Sequence, residues 1–182
     1  MKEKVSRMAA FVVPWGCILF ICVMLVVCNV VTLSIKSFAV DSQDRLYIGQ
    51  SEVICVYEGD ELVNQISAQT SRAYQFTVQS NDTVLLSTAS KVYIINMNGE
   101  ILDEYEDVGT KTYNKLQRNS KTFTSNKGDK YQIKDALART KIVKNNTETV
   151  YQIPVLSVVV KLLIELCLVS IILFVGKNVT IK

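Results

Sequence analysis

The chain has 182 residues, 49% of them apolar, a formal charge of +3 and no histidine. That length holds one modest domain, or a small domain with membrane segments. The small net charge and a middle rich in Tyr, Val and Ile exclude a disordered tail, and the missing histidine excludes imidazole catalysis and His-metal sites.

Residues 1–7 carry Lys2, Lys4 and Arg7 against Glu3. The positive-inside bias keeps such an end cytoplasmic. Residues 8–35 follow without one charge. A membrane helix needs about 20 apolar residues, so this run predicts a first transmembrane helix, long enough to tilt. Pro14 lies near its start, and Trp15 suits the headgroup level. The run is about twice the 7–15 apolar residues of a signal peptide. Ser37-Phe38-Ala39 offers a small-residue triplet behind Lys36, so cleavage stays open as the minor alternative. Cys17, Cys22, Cys28 and Cys167 fall in apolar runs, and Cys55 alone falls between them. No disulfide framework is expected from that distribution. Cys55, inside Val53-Ile54-Cys55-Val56-Tyr57, reads as a small buried hydrophobe.

Residues 36–154 are expected outside the cell and contain an internal repeat. Phe38 is followed six residues on by Asp44, Phe76 by Asp82, and Phe123 by Asp129, each leading into an apolar strand. The second halves also match. Val53–Tyr57 leads through Gly59-Asp60-Glu61, Val92–Asn96 through Asn98-Gly99-Glu100, and Thr140–Lys144 through Asn146-Thr147-Glu148. Each is a strand, a tight turn, a Glu and another strand, and Asn98-Gly99 is a strong hairpin signal. The units cover about 37–66, 75–106 and 122–153. Residues 107–121 fit no strand template and are expected to be a long connection.

Each unit therefore reads as four short strands joined by turns. The pattern resembles the blades of six-bladed β-propellers of the NHL, YWTD and TolB-like kind, although neither a WD pair nor a YWTD stands here. The resemblance implies an all-β domain of three propeller-blade-like antiparallel units. Three blades are fewer than the roughly 4–8 that close a ring. An open arc, one merged sheet or sandwich, and a six-bladed ring shared by two chains all stay open. An arc would leave strand edges exposed, which argues for a partner.

Charge divides the repeat. Residues 37–109 hold twelve acids and three bases, a net of −9; residues 110–154 hold ten bases and three acids, a net of +7. One reading is attraction within a chain. The other is head-to-tail self-association, with Lys127, Lys130, Arg139 and Lys141 of one copy against Asp41, Asp44 and Glu52 of another. Such complementarity sets specificity and on-rate. The expected partners are the membrane and a protein, either a second copy or another chain. Nucleic acid is excluded, because the aromatics do not interleave with the bases as a stacking groove requires. Glu58-Gly59-Asp60-Glu61 and Asp103-Glu104-Tyr105-Glu106-Asp107 match no calcium loop. With no nucleophile elbow and no phosphate-cradling glycine loop, neither an enzyme nor a cofactor site is expected.

Residues 155–176 form the second apolar run, opened by Pro154 and closed by Lys177 and Lys182. Sixteen of its residues are Leu, Ile, Val or Phe. Each favours insertion by about 0.3–0.6 kcal/mol, against at most about 3 kcal/mol for each charge, Lys161 and Glu165. A second transmembrane helix is expected, with residues 177–182 cytoplasmic. Lys161 snorkels outward. Glu165 sits about 15 Å deep, and such residues are candidates for contact inside the membrane. Its candidate partners are Lys161 and, on the first run, Asn29. The sequence thus reads as two transmembrane α-helices flanking an all-β domain, in the cell membrane with both termini cytoplasmic. Its function is extracytoplasmic binding, sensing or scaffolding. The alternatives are an accessory subunit of a larger membrane complex, in transport or the envelope, and a remnant of a longer propeller protein.

Overall fold

In a computed structural model, residues 2–28, 31, 34–70, 73–136 and 139–179 are described. The chain divides into two compact units, Ser34–Gln152 and a second made of Met1–Leu33 with Ile153–Lys182. Among the described residues, three α-helices, α1 (Lys2–Val27), α2 (Lys111–Asn119) and α3 (Val155–Val179), accompany twelve strands.

The helical unit pairs α1 with α3. Cys22 and Val31 bury against Val160, with Leu25, Val26, Leu163 and Ile164 packed around them. The expected helix over 8–35 differs at both ends. It already begins at Lys2, which places Pro14 within the helix rather than near its start. It stops at Val27, where the Cys28 N–H bonds Met24 at 2.9 Å and the Val31 N–H turns back to the Leu25 carbonyl at 3.3 Å. The sequence beyond, Asn29-Val30-Val31-Thr32, is rich in poor helix formers. Among the described residues, one helix is long and apolar enough to cross a membrane, over Val155–Phe174 in α3. In α1 the described apolar stretch is Val13–Val27. Of the two expected spans, length and composition support that in α3.

The β unit holds three four-stranded antiparallel sheets, each a meander in sequence order. Sheet 1 contains β1 (Phe38–Val40), β2 (Leu46–Gln50), β3 (Val53–Glu58) and β4 (Glu61–Ser67). Sheet 2 contains β5 (Tyr74–Val78), β6 (Val84–Thr88), β7 (Lys91–Ile95) and β8 (Ile101–Glu106). Sheet 3 contains β9 (Thr122–Thr124), β10 (Lys130–Ala136), β11 (Arg139–Lys144) and β12 (Glu148–Gln152). The propeller-like repeat is thus present as three separate blades, and no single merged sheet forms among the described residues. The connection at 107–121 is not irregular throughout. It holds a 3-10 turn, Val108–Thr110, and then α2.

The same turn opens all three sheets. The Asp41 N–H bonds the Arg45 carbonyl, Gln79 bonds Thr83, and Ser125 bonds Asp129, at 3.2, 2.8 and 2.9 Å. The fourth residue of each turn is left-handed: Asp44 at φ 65°, Asp82 at 60° and Gly128 at 86°. Asp and Gly tolerate that region best. The Phe-to-Asp spacing therefore aligns only two units. Counted from the turn, Phe38 and Phe76 are equivalent, and Phe123 stands one residue nearer. A one-residue slip turns a strand side chain to the opposite face. Phe38 and Phe123 accordingly meet across two sheets, with ring centroids 6.4 Å apart.

Sheet 1 lies in the middle. Tyr47, Ile54, Val56 and Ile66 on one face bury against Tyr74, Phe76, Val84 and Leu86 of sheet 2. On the opposite face, Phe38, Val40, Leu46 and Ile48 bury against Tyr131, Ile133 and Ile142 of sheet 3. The spatial order is 2–1–3, not chain order. Two contacts tighten the 1–2 interface. The Tyr74 hydroxyl donates to the Val53 carbonyl at 2.8 Å. At Gly49, a Cβ would lie 2.9 Å from the buried Phe76 ring and 3.3 Å from the Ser37 carbonyl oxygen. The site needs glycine for that approach, since overpacking a filled core costs about 1–3 kcal/mol.

Candidate functional site: a cavity beside α2

Asp107 builds the approach to α2. Thr110, the residue before the helix, is left-handed at φ 54° and makes no side-chain cap. Asp107 does that work from three residues further back. Its carboxylate accepts the N–H groups of Thr112 at 3.0 Å and Tyr113 at 2.9 Å, and the Ser87 hydroxyl at 3.2 Å. Burial pushes its carboxyl up, but the two backbone N–H groups and Ser87 outweigh it and hold the carboxyl below the usual range. Helix α2 is thereby fixed against β5 and β6, on the face of sheet 2 turned away from sheet 1.

Beside it lies a cavity of about 590 Å³. Small-molecule sites usually measure about 300–1,000 Å³. Phe38, Phe76 and Phe123 come from β1, β5 and β9, the first strand of each sheet. Thr77 and Leu85 of sheet 2 and Thr112 and Leu116 of α2 line the side, and Lys111 and Lys115 stand at the rim. Lys111, Lys115 and Arg118 are spaced four and three apart, so they share one helix face. All three are exposed. Among the described residues, none has a carboxylate within ion-pair distance. The recorded pairs use Arg45, Lys91, Lys121, Lys127 and Lys144.

The residues singled out from the sequence do not form one patch. Lys127 pairs with Asp44 at 2.5 Å within the chain, joining the first turns of sheets 3 and 1. Asp82 does the same for sheets 2 and 1, accepting the Ser42 hydroxyl at 2.5 Å and its N–H at 2.9 Å. These bonds hold its carboxyl below the usual range. The repeated Asp thus stitches neighbouring turns in two of the three units; Asp129 instead binds Lys144 at 2.9 Å inside sheet 3. Asp41 is not on the surface. It is buried and accepts from the Arg45 Nε at 2.6 Å, from the N–H groups of Gln43 and Arg45, and from the Tyr47 hydroxyl. Lys130 and Lys141, with Gln132 and Lys134, lie on the face of sheet 3 turned away from sheet 1. Arg139, paired with Ala136, continues the same face, and Glu52 is exposed in the turn between β2 and β3. Cys55 is buried as expected, and burial pushes its thiol up.

In the helical unit Glu165 is exposed, and no ion pair joins it to Lys161. The hydrophobic residues of α3 clustered with α1 are Val160, Leu163 and Ile164, and Cys167 is buried as well. Asn29 lies outside the described residues. Among those described, no group of three or more Cys, Asp or Glu could hold a metal ion.

No protein-family model matches this chain, and no curated protein does. Among solved structures, a protein of unknown function from Bacteroides caccae aligns at 17% identity over 66% of this chain and 45% of its own, with a TM-score of 0.36. A catalytically inactive virginiamycin B lyase from Staphylococcus aureus, solved with quinupristin, aligns at 14% identity over 65% and 40%, with a TM-score of 0.34. A streptogramin B lyase aligns at 13% over 64% and 39%, with a TM-score of 0.33. The chain spans less than half the length of these proteins. At such identities their activities do not transfer, and the propeller-like description rests on this chain's own three meanders.

The cavity was missed in the sequence because its parts are far apart in the chain. One signal was available: Lys111, Lys115 and Arg118 repeat at helical spacing inside the stretch that fitted no strand template.

Proposed function

We propose that the chain is a membrane-anchored binding protein that presents its β unit outside the cell. The cavity beside α2 carries this reading, since it has the size and mixed lining of a ligand site and stands where the first strands of the three sheets come together. Helix α3 supplies one anchor and α1 the second, with both termini cytoplasmic. The expected readout uses Asn98→Cys, in the exposed turn between β7 and β8. In a chain whose exposed Cys17 and Cys28 are replaced by Ser, a membrane-impermeant maleimide should label it on intact cells and leave the same chain with Asn98 unlabelled. Labelling confined to everted vesicles would place the β unit in the cytoplasm.

A second reading, an accessory subunit of a larger membrane complex, is favoured by Glu165, which is exposed on α3. A carboxyl about 15 Å deep in lipid calls for a polar partner on another helix. Glu165→Leu should then reduce co-purification of that partner several-fold while leaving the amount of anchored chain unchanged. Equal recovery from both chains counts against a subunit role.

A further inference from the structure

We propose that the cavity beside α2 takes a small anion with an aromatic or apolar body, its negative end held between Lys111 and Lys115. This rests on the binding role proposed above and names the class of ligand. The inner surface is Phe38, Phe76, Leu85 and Phe123, and Leu116 of α2 faces the same space. Rings of this kind accept a flat apolar body and offer it no charge partner. At the rim the chemistry changes sign. Lys111 and Lys115 are four residues apart on one helix, where like charges repel. No carboxylate among the described residues neutralises them, whereas Lys91, Lys121, Lys127 and Lys144 find acids at 2.5–3.6 Å. Arg118 extends the same positive stripe and adds to the field that draws an anion inward. A neutral guest would leave two uncompensated cations at the mouth, and a cationic guest would add a third.

The test uses the full chain in nanodiscs of phosphatidylcholine, with empty discs as the blank, and equilibrium dialysis of three probes of one shape: 1-naphthoate, 1-naphthylmethanol and 1-naphthylmethylammonium. Naphthoate should bind saturably, about tenfold or more tighter than the alcohol, since one good charge contact is worth about that factor. The ammonium should not bind above the blank. Lys111→Gln with Lys115→Gln should weaken naphthoate about tenfold and leave the alcohol unchanged, which also shows that the cavity is still formed. Leu116→Trp, which fills the cavity from the helix side, should abolish both. Equal binding of acid and alcohol, no saturable naphthoate binding, or an unchanged lysine variant each overturns the proposal. Naphthoate binding that survives Leu116→Trp does too, because it assigns the lysines to an anion on the open surface. Failure of the dialysis with Asn98→Cys still labelled from outside removes the ligand class and leaves the anchored arrangement standing. Labelling only in everted vesicles removes the arrangement, whatever the dialysis shows.

Discussion

Asp107→Ala is expected to release α2 and to destabilise the β unit by about 2–4 kcal/mol. Two backbone N–H groups lose a charged acceptor, at about 1.5–3 kcal/mol for each such bond, and a lost cap alone costs about 0.5–2 kcal/mol. The buried Ser87 hydroxyl loses the same partner. Asp107→Asn keeps one acceptor oxygen and should fall between. The change is local, so amide exchange at Thr112 and Tyr113 reports it directly, and naphthoate binding should disappear with the helix. The carboxyl lies below its usual range in the folded chain. Its contribution is therefore complete above about pH 4, the ordinary carboxylate value, and is lost as pH falls through the lower folded value. The unsubstituted chain should lose protection at these two amides in that acid window, and Asp107→Ala should show no such step. Unchanged exchange in the alanine chain would mean that α2 is held by Leu116 and its neighbours alone.

The blades were readable because each strand advertises itself locally. Val53–Tyr57 and Val92–Asn96 are β-branched and aromatic runs ended by Gly59 and Gly99, and local pattern is what a single sequence records. The alignment of the units was readable for Phe38 and Phe76 and failed at Phe123. A Phe at a similar distance from an Asp looks equivalent in sequence, but the turn beginning at Ser125 places it one pleat out of phase. Spatial order could not be read, since nothing in a meander states which neighbour it packs against. The charge contrast between the halves was real but is partly spent inside the chain. Lys127 meets Asp44, and Asp41 turns inward to Arg45 and Tyr47. The hydrophobic run 8–35 extends beyond α1, which stops at Val27, because hydropathy records burial preference and not where a helix ends.

The 2–1–3 order makes a sharper prediction than the blade count. Ile48 and Leu86 are both fully buried, and truncating either to alanine should cost about 2–5 kcal/mol, the transfer loss plus the cavity left behind. Their neighbours differ. Ile48 faces Tyr131, Ile133 and Ile142 of sheet 3, whereas Leu86 sits between sheets 2 and 1. Ile48→Ala should therefore speed amide exchange in β10 and β11 more than in β6, and Leu86→Ala should do the reverse. If the sheets followed chain order with sheet 2 central, Ile48 would lie on an outer face, and its truncation would cost less than about 1 kcal/mol, as expected for a side chain with little burial to lose. The finish of the two outward faces fits the order observed. Sheet 2 is covered by α2 beside Thr77 and Leu85, and sheet 3 presents Lys130, Lys134 and Lys141. A further blade would have to displace the helix or bury three lysines, as at the polar outer faces of terminal repeats. A lysine-to-leucine change at Lys134 and Lys141 together removes one of those caps. It should make the chain self-associate through sheet 3 at high salt, read as a doubling of the mass of protein in the detergent particle relative to the unsubstituted chain. No change in mass would mean that the face is closed by shape rather than by charge.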